Sequence, residues 1–186
     1  GRTAIDSNTV YSATLTDDDA AKIDIYKQAV KKYDSDRAKF NIACLLMDQG
    51  KNDQAEAQLK KINDTALEGL NNLRGVLALR DGDLSKAAEY FAKGGDTASK
   101  VNNGTLDILS GDYAAAVKKL AGSGDVNEPL AYILNGDLTK AANLLKDDTS
   151  ELAAYERAII AARQGKAAAA KAELAKIKQS ARTAAT

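Results

Sequence analysis

Gly104-Thr105-Leu106-Asp107-Ile108-Leu109-Ser110-Gly111-Asp112-Tyr113-Ala114-Ala115-Ala116-Val117-Lys118-Lys119-Leu120 is the stretch that decides the fold. It holds a turn glycine, Gly111, an alanine five residues on, Ala116, and a large apolar residue four further, Leu120. A small residue, Gly104, stands seven before the turn. The pattern recurs along the chain. Gly50, Gly82, Gly136 and Gly165 are followed by Ala55, Ala87, Ala141 and Ala170, then by Leu59, Phe91, Leu145 and Leu174. Seven residues before those turns stand Ala43, Gly75, Pro129 and Ala158. Successive turns lie 32, 29, 25 and 29 residues apart, a period typical of stacked supersecondary units.

Each position has a mechanical reason. Glycine adopts the left-handed conformation that ends a helix and turns the chain. Residues four apart share a face of the next helix, so the alanine and the Leu or Phe point the same way. Small residues at the crossing let two helices approach closely. Between the units stand helix-start signals: Thr65 with Glu68, Asp125 with Glu128 and Asp148 with Glu151 have capping-box spacing, and Asp96-Thr97 offers a plain N-cap. The first helices are therefore expected over 37–49, 66–80, 97–109, 127–135 and 149–163. The second helices are expected over 52–62, 84–93, 113–121, 138–146 and 167–180. Ahead of these, Asp17-Asp18-Asp19 opens a helix to about Tyr33 with an apolar stripe of Ile23, Tyr26, Val30 and Tyr33, and residues 8–13 form a short partner. Residues 1–6 and 181–186 are expected to be loose ends, and 7–180 one continuous array, because each hairpin needs its neighbours to bury both faces.

Composition agrees with an all-α chain. Its 186 residues include 36 alanines and one proline, the best helix former in abundance and the usual helix breaker almost missing. Lys+Arg and Asp+Glu both number 26 and are interleaved, which offers no concentrated cationic face to nucleic acid. No apolar run approaches the roughly 20 residues that a membrane-spanning helix needs. No signal peptide is evident, and Gly1 reads as a cleavage scar on an excised fragment. A single cysteine forms no internal disulfide.

The small residue before a glycine turn, followed by Asp, Ala and a Leu or aromatic, resembles the tetratricopeptide repeat, most clearly from Gly104 to Leu120. The resemblance implies an all-α superhelix of about five helix-turn-helix repeats plus an N-terminal helix or helix pair. Most of the family's aromatics near the start of the first helix are missing here, as is the proline closing the second. The repeats also fall short of the usual length of about 34 residues, so a tighter or less regular superhelix is expected.

A narrower resemblance rests on Tyr11-Ser12-Ala13-Thr14-Leu15-Thr16, Ile25-Tyr26-Lys27-Gln28-Ala29, Tyr33-Asp34-Ser35-Asp36-Arg37, the Asn-Asn pairs 71–72 and 102–103, Leu130-Ala131-Tyr132-Ile133-Leu134-Asn135-Gly136 and Ala161-Ala162-Arg163-Gln164-Gly165. From about residue 9 to 180 the chain looks like the C-terminal helical region of OmpA-type outer-membrane proteins of the Bacteroides group. In that family the region is exported and lies on the periplasmic side of the outer membrane. Peptidoglycan attachment belongs there to a separate OmpA-like domain that this stretch does not contain.

Catalytic constellations are sparse. Without histidine, Ser-His and Cys-His nucleophile pairs and His metal sites are excluded. Cys44, between Ala43 and Leu45, reads as a buried, inert thiol. Asp17-Asp18-Asp19 favours the positive end of a helix and lacks the Gly and distal Glu of a calcium loop. Gly122-Ser123-Gly124 has neither the strand nor the lysine of a phosphate loop and reads as a turn. Acids spread over helix faces read as solvated surface. No enzyme, metal or cofactor is expected.

What remains is surface. In tetratricopeptide folds the first helices line a concave groove that takes peptides or partner helices. By register, that resemblance nominates Asn72, Val76, Arg80, Asn102, Thr105, Ile108, Tyr155, Ile159 and Arg163. Asn72 and Asn102 suit an extended peptide backbone, or bonding between repeats, while Arg80 and Arg163 suit a carboxylate. The Lys and Asn set with which family members clamp a peptide's terminal carboxylate is not reproduced, and Tyr113 reads as packing.

The leading expectation is a non-catalytic scaffold that binds a protein or peptide, or other domains of its parent protein, with no nucleic acid and no membrane span. A structural spacer without a ligand is the alternative. A peptidoglycan- or carbohydrate-binding domain is disfavoured, since the two Phe and seven Tyr are scattered.

Overall fold

The structure is a computed structural model. It describes residues 1–183, of which Arg2 and 178–183 are described by backbone alone. Among the described residues all regular structure is α-helical, in twelve helices. The chain forms two compact units, Gly1–Lys100 and Val101–Thr186, and the division falls within α7 (Thr97–Ser110).

The first unit holds α1 (Arg2–Thr14), α2 (Asp19–Tyr33), α3 (Asp36–Asp48), α4 (Asn52–Leu59), α5 (Leu70–Arg80) and α6 (Leu84–Gly94). Helices adjacent in sequence pack on one another around a core that includes Tyr26, Ile42, Met47, Leu59 and Leu70. The second unit holds α8 (Tyr113–Leu120), α9 (Glu128–Asn135), α10 (Leu138–Leu145), α11 (Glu151–Arg163) and α12 (Ala167–Thr183). Ala116, Leu120 and Ala131 pack there with Val101 and Ile108, and a further cluster joins Tyr132, Ile133, Leu145, Ala153 and Ile160. The expected hairpins are α3–α4, α5–α6, α7–α8, α9–α10 and α11–α12, preceded by the pair α1–α2.

The repeat positions behave as their chemistry requires. All five turn glycines have positive φ, from 73° at Gly50 to 89° at Gly136. Ala55, Ala87, Ala116 and Ala141 are wholly buried, and Leu59, Phe91, Leu120 and Leu145 nearly so. In the fifth repeat Leu174 is 41% exposed, because no further helix covers α12 among the described residues. The aspartate that follows three of the glycines caps the next helix. Asp83, Asp112 and Asp137 accept the backbone N–H of Lys86, Ala115 and Lys140, at the starts of α6, α8 and α10.

The starts of the first helices depart from expectation in three places. Gly69, at φ 83°, breaks the chain after Glu68, so α5 begins at Leu70, beyond the expected Thr65–Glu68 box, and Asp64 accepts the N–H of Ala66. Ser150, not Asp148, caps α11 by accepting from Ala153, while Asp148 accepts from Ser150. Glu128 turns back to take the N–H groups of Gly122 and Gly124 at 2.7 and 3.0 Å, so it closes no box with Asp125. The Asp96 cap forms, accepting from the Ser99 N–H at 2.8 Å. Asp18 caps α2, and Asp19 lies in its first turn.

At the N-terminus α1 already begins at Arg2, because the Ser35 hydroxyl donates to Asp6 at 2.5 Å and ties the first turns to the start of α3. Residues 181–183 continue α12, and the rest of the expected tail lies outside the described residues. Cys44 is half-buried. Burial, with Asp48 adding its charge, pushes its thiol up to about 11, which keeps the thiolate scarce at neutral pH. Lys39, 3% exposed, pairs with Asp34 at 2.7 Å and Asp36 at 2.8 Å and donates to the Lys61 carbonyl.

Candidate functional site

In the first unit, α5 carries Asn72, Val76 and Arg80 four residues apart and hence on one face. Val76 packs against the core, and Asn72 is half-buried and engaged. Arg80 is the last residue of α5. Its Nη1 donates to the Met47 carbonyl oxygen at 2.8 Å and to Asn52 Oδ1 at 3.2 Å, clasping the turn from α3 to α4.

In the second unit, Thr105 Oγ1 donates to the Val101 carbonyl and accepts from Asn127 Nδ2 at 3.3 Å, tying α7 to the start of α9. Ile108 packs on Ala116, Leu120 and Ala131, and Asn102 is half-buried and engaged. On α11, Ile159 packs inward while Tyr155 on the same face is 52% exposed. Arg163 ends α11 and donates to the Ile133 carbonyl of α9 at 2.7 Å. It repeats in this unit what Arg80 does in the other. Both arginines, nominated to hold a partner's carboxylate, donate to helix-end carbonyls that also accept the N–H of the turn glycines Gly50 and Gly136. Among the nominated residues, Tyr155 offers an exposed aromatic ring. Nothing in the register alone distinguishes an arginine reaching back to a carbonyl from one reaching out.

Register also missed the most unusual side chain of the second unit. Glu156 of α11 is 3% exposed and lines a cavity of about 180 Å³ with Asp148, Leu144, Leu152 and Val126. Burial lifts its carboxyl to about 7, and the negative charge of Asp148 adds to the rise. A signal was present in the sequence: Ala153, Glu156 and Ile160 share an inward face, so an acid stands where an apolar residue belongs. Among the described residues, no group of three or more His, Cys, Asp or Glu side chains is placed to hold a metal.

No family model matches the sequence, and no curated protein matches it. Solved structures do match in fold. The structure of MamA from Desulfovibrio magneticus RS-1, from residue 41 to the end, aligns with a TM-score of 0.69 at 16% identity, over 80% of this chain and 96% of that one. A MamA RS-1 double mutant aligns with a TM-score of 0.68 at 16% identity, over 80% and 95%. A tetratricopeptide repeat protein from Parabacteroides merdae ATCC 43184 aligns with a TM-score of 0.60 at 12% identity, over 96% of this chain and 78% of that one. Identities this low speak to fold alone. In fold, then, the chain is a tetratricopeptide-like all-α helical domain.

Proposed function

We propose that this domain is a non-catalytic protein-interaction scaffold, using the outward face of its first helices to hold a peptide or a partner helix. The observation that carries the reading is Tyr155. It is 52% exposed on a face of α11 whose next turn, Ile159, is packed into the core. Tyrosine supplies a large contact area at low conformational cost and is enriched where proteins bind one another. The sequence resemblance to the helical region of OmpA-type proteins supports the periplasmic side of the outer membrane as the location. Among the described residues no helix is long and apolar enough to cross a membrane.

The test is affinity capture from a detergent-solubilised envelope fraction, with the chain as bait beside Tyr155→Ala and Asn72→Ala, each first shown by circular dichroism to keep its helicity. Arg80 and Arg163 stay intact because they hold helix ends. A protein retained by the chain and lost with either variant supports the reading. A catch unchanged by both variants, or no catch across salt concentrations, defeats it. The second outcome favours the spacer reading, which the inward packing of Val76, Ile108 and Ile159 and the two arginine clasps support.

A further inference from the structure

The cavity beside Glu156 has a composition that asks for a cation. Its mouth is apolar and open: Val126 is 61%, Leu144 46% and Leu152 47% exposed. Its lining includes Glu156, a residue 3% exposed. The other charged groups nearby are already engaged. Glu128 accepts from Gly122 and Gly124, Asp125 from Asn127, and Asp148 from Ser150. Arg157, the next residue along α11, turns to the carbonyls of Leu145 and Asp148 and to Glu173. Glu156 is 3% exposed, and a carboxylate this deep is costly to keep charged unless a cation or a hydrogen-bond donor meets it. The volume of about 180 Å³ also exceeds the roughly 10–15 Å³ that one trapped water needs.

We propose that this cavity binds a lysine side chain of a partner polypeptide, its ammonium on the Glu156 carboxylate and its methylene stem against Val126, Leu144 and Leu152. Lysine fits better than arginine. An ammonium is a compact charge on a four-carbon apolar stem, whereas a guanidinium is a flat fork that wants two acceptor atoms side by side and partners for its remaining donors. Neighbouring acids make the entrance electronegative, which matches the charge of the guest. The site lies apart from the Tyr155 face. It rests on the scaffold reading only in taking its lysine from a protein.

The test is an NMR titration of the whole chain with Nα-acetyl-lysine methylamide at about pH 8, where Glu156 is ionised. Saturable shifts of the Val126, Leu144 and Leu152 methyl signals are expected, with a millimolar dissociation constant. Nα-acetyl-norleucine methylamide, which keeps the stem and lacks the ammonium, should bind at least about tenfold more weakly. Glu156→Gln, nearly isosteric, should lose about as much affinity for the lysine probe. Leu152→Ala, at a 47% exposed position and first shown by circular dichroism to keep its helicity, should weaken it by about threefold. No saturation up to about 50 mM, equal binding of the norleucine probe, or undiminished affinity in Glu156→Gln overturns the proposal. Tighter binding of Nα-acetyl-arginine methylamide overturns the choice of lysine. Failure here leaves the capture experiment on Tyr155 unaffected, so the two readings fall separately.

Discussion

Gly75 of α5 and Phe91 of α6 approach so closely that a β-carbon on the glycine would stand 2.4 Å from the ring. The pair makes the crossing of two helices depend on a missing side chain. Gly75→Ala should therefore destabilise the protein by about 1–3 kcal/mol, even though alanine in a helix ordinarily gains about 1 kcal/mol over glycine. Urea unfolding followed by circular dichroism decides it. A variant more stable than the parent would show that the ring moves aside without cost. Gly104→Ala, whose β-carbon would meet Leu120 at 2.8 Å, should behave alike.

Lys39→Met should cost about 3 kcal/mol. The lysine is buried, and its removal leaves the half-buried Asp36 without its cation, although the Asn63 and Asp64 N–H groups still reach that carboxylate. Asp34→Asn, at the 67% exposed partner, should cost less than about 1 kcal/mol. Equal effects of the two would mean that the cluster is not centred on the lysine.

Stability should peak at mildly acidic pH. Although burial opposes it, bonds from Lys39 and the N–H groups of Asp64 and Asn63 hold the Asp36 carboxyl below its ordinary value. Its contribution is thus present above the unfolded-state value of 3.8 and is lost as pH falls through the folded one. Glu156 has the opposite sign. Raised from 4.5 to about 7 by burial and then by Asp148, it favours the folded state fully below pH 4.5 and loses that contribution as pH rises to about 7. The decline should be on the order of 2 kcal/mol, and Glu156→Gln should flatten it. Melting temperatures of chain and variant at pH 5 and pH 8 measure the difference.

Arg163→Ala should lower stability by about 1–2 kcal/mol, with little dependence on salt, because its partner is a carbonyl and not a charge. A loss that vanishes in concentrated salt would point to an ionic partner instead.

The hairpins were legible because their determinants are local. A glycine, an alanine and a leucine at fixed offsets specify a turn and a close crossing, and all five turns lie where those offsets put them. Of the restarts only the Asp96 cap was legible, since several carboxylates and hydroxyls stand within reach of each of the other helix starts. Which one caps depends on how the chain arrives, as Ser150 taking over from Asp148 shows. The surface residues were the least legible. Arg80 and Arg163 sit at the right register for a groove, but their partners, Met47 and Ile133, are 33 and 30 residues away. Glu156 stood out only as an acid on an inward face, and the cavity beside it is assembled by residues from 124 to 156.

The two clasps also bear on how the molecule comes apart. Each arginine spans from the last residue of one first helix to the carboxyl end of the preceding first helix, bypassing the helix between. Fraying α5 at its end releases the end of α3, and fraying α11 releases that of α9. Adjacent hairpins so linked become a single opening event, and their slowest amides should exchange with solvent together, not hairpin by hairpin.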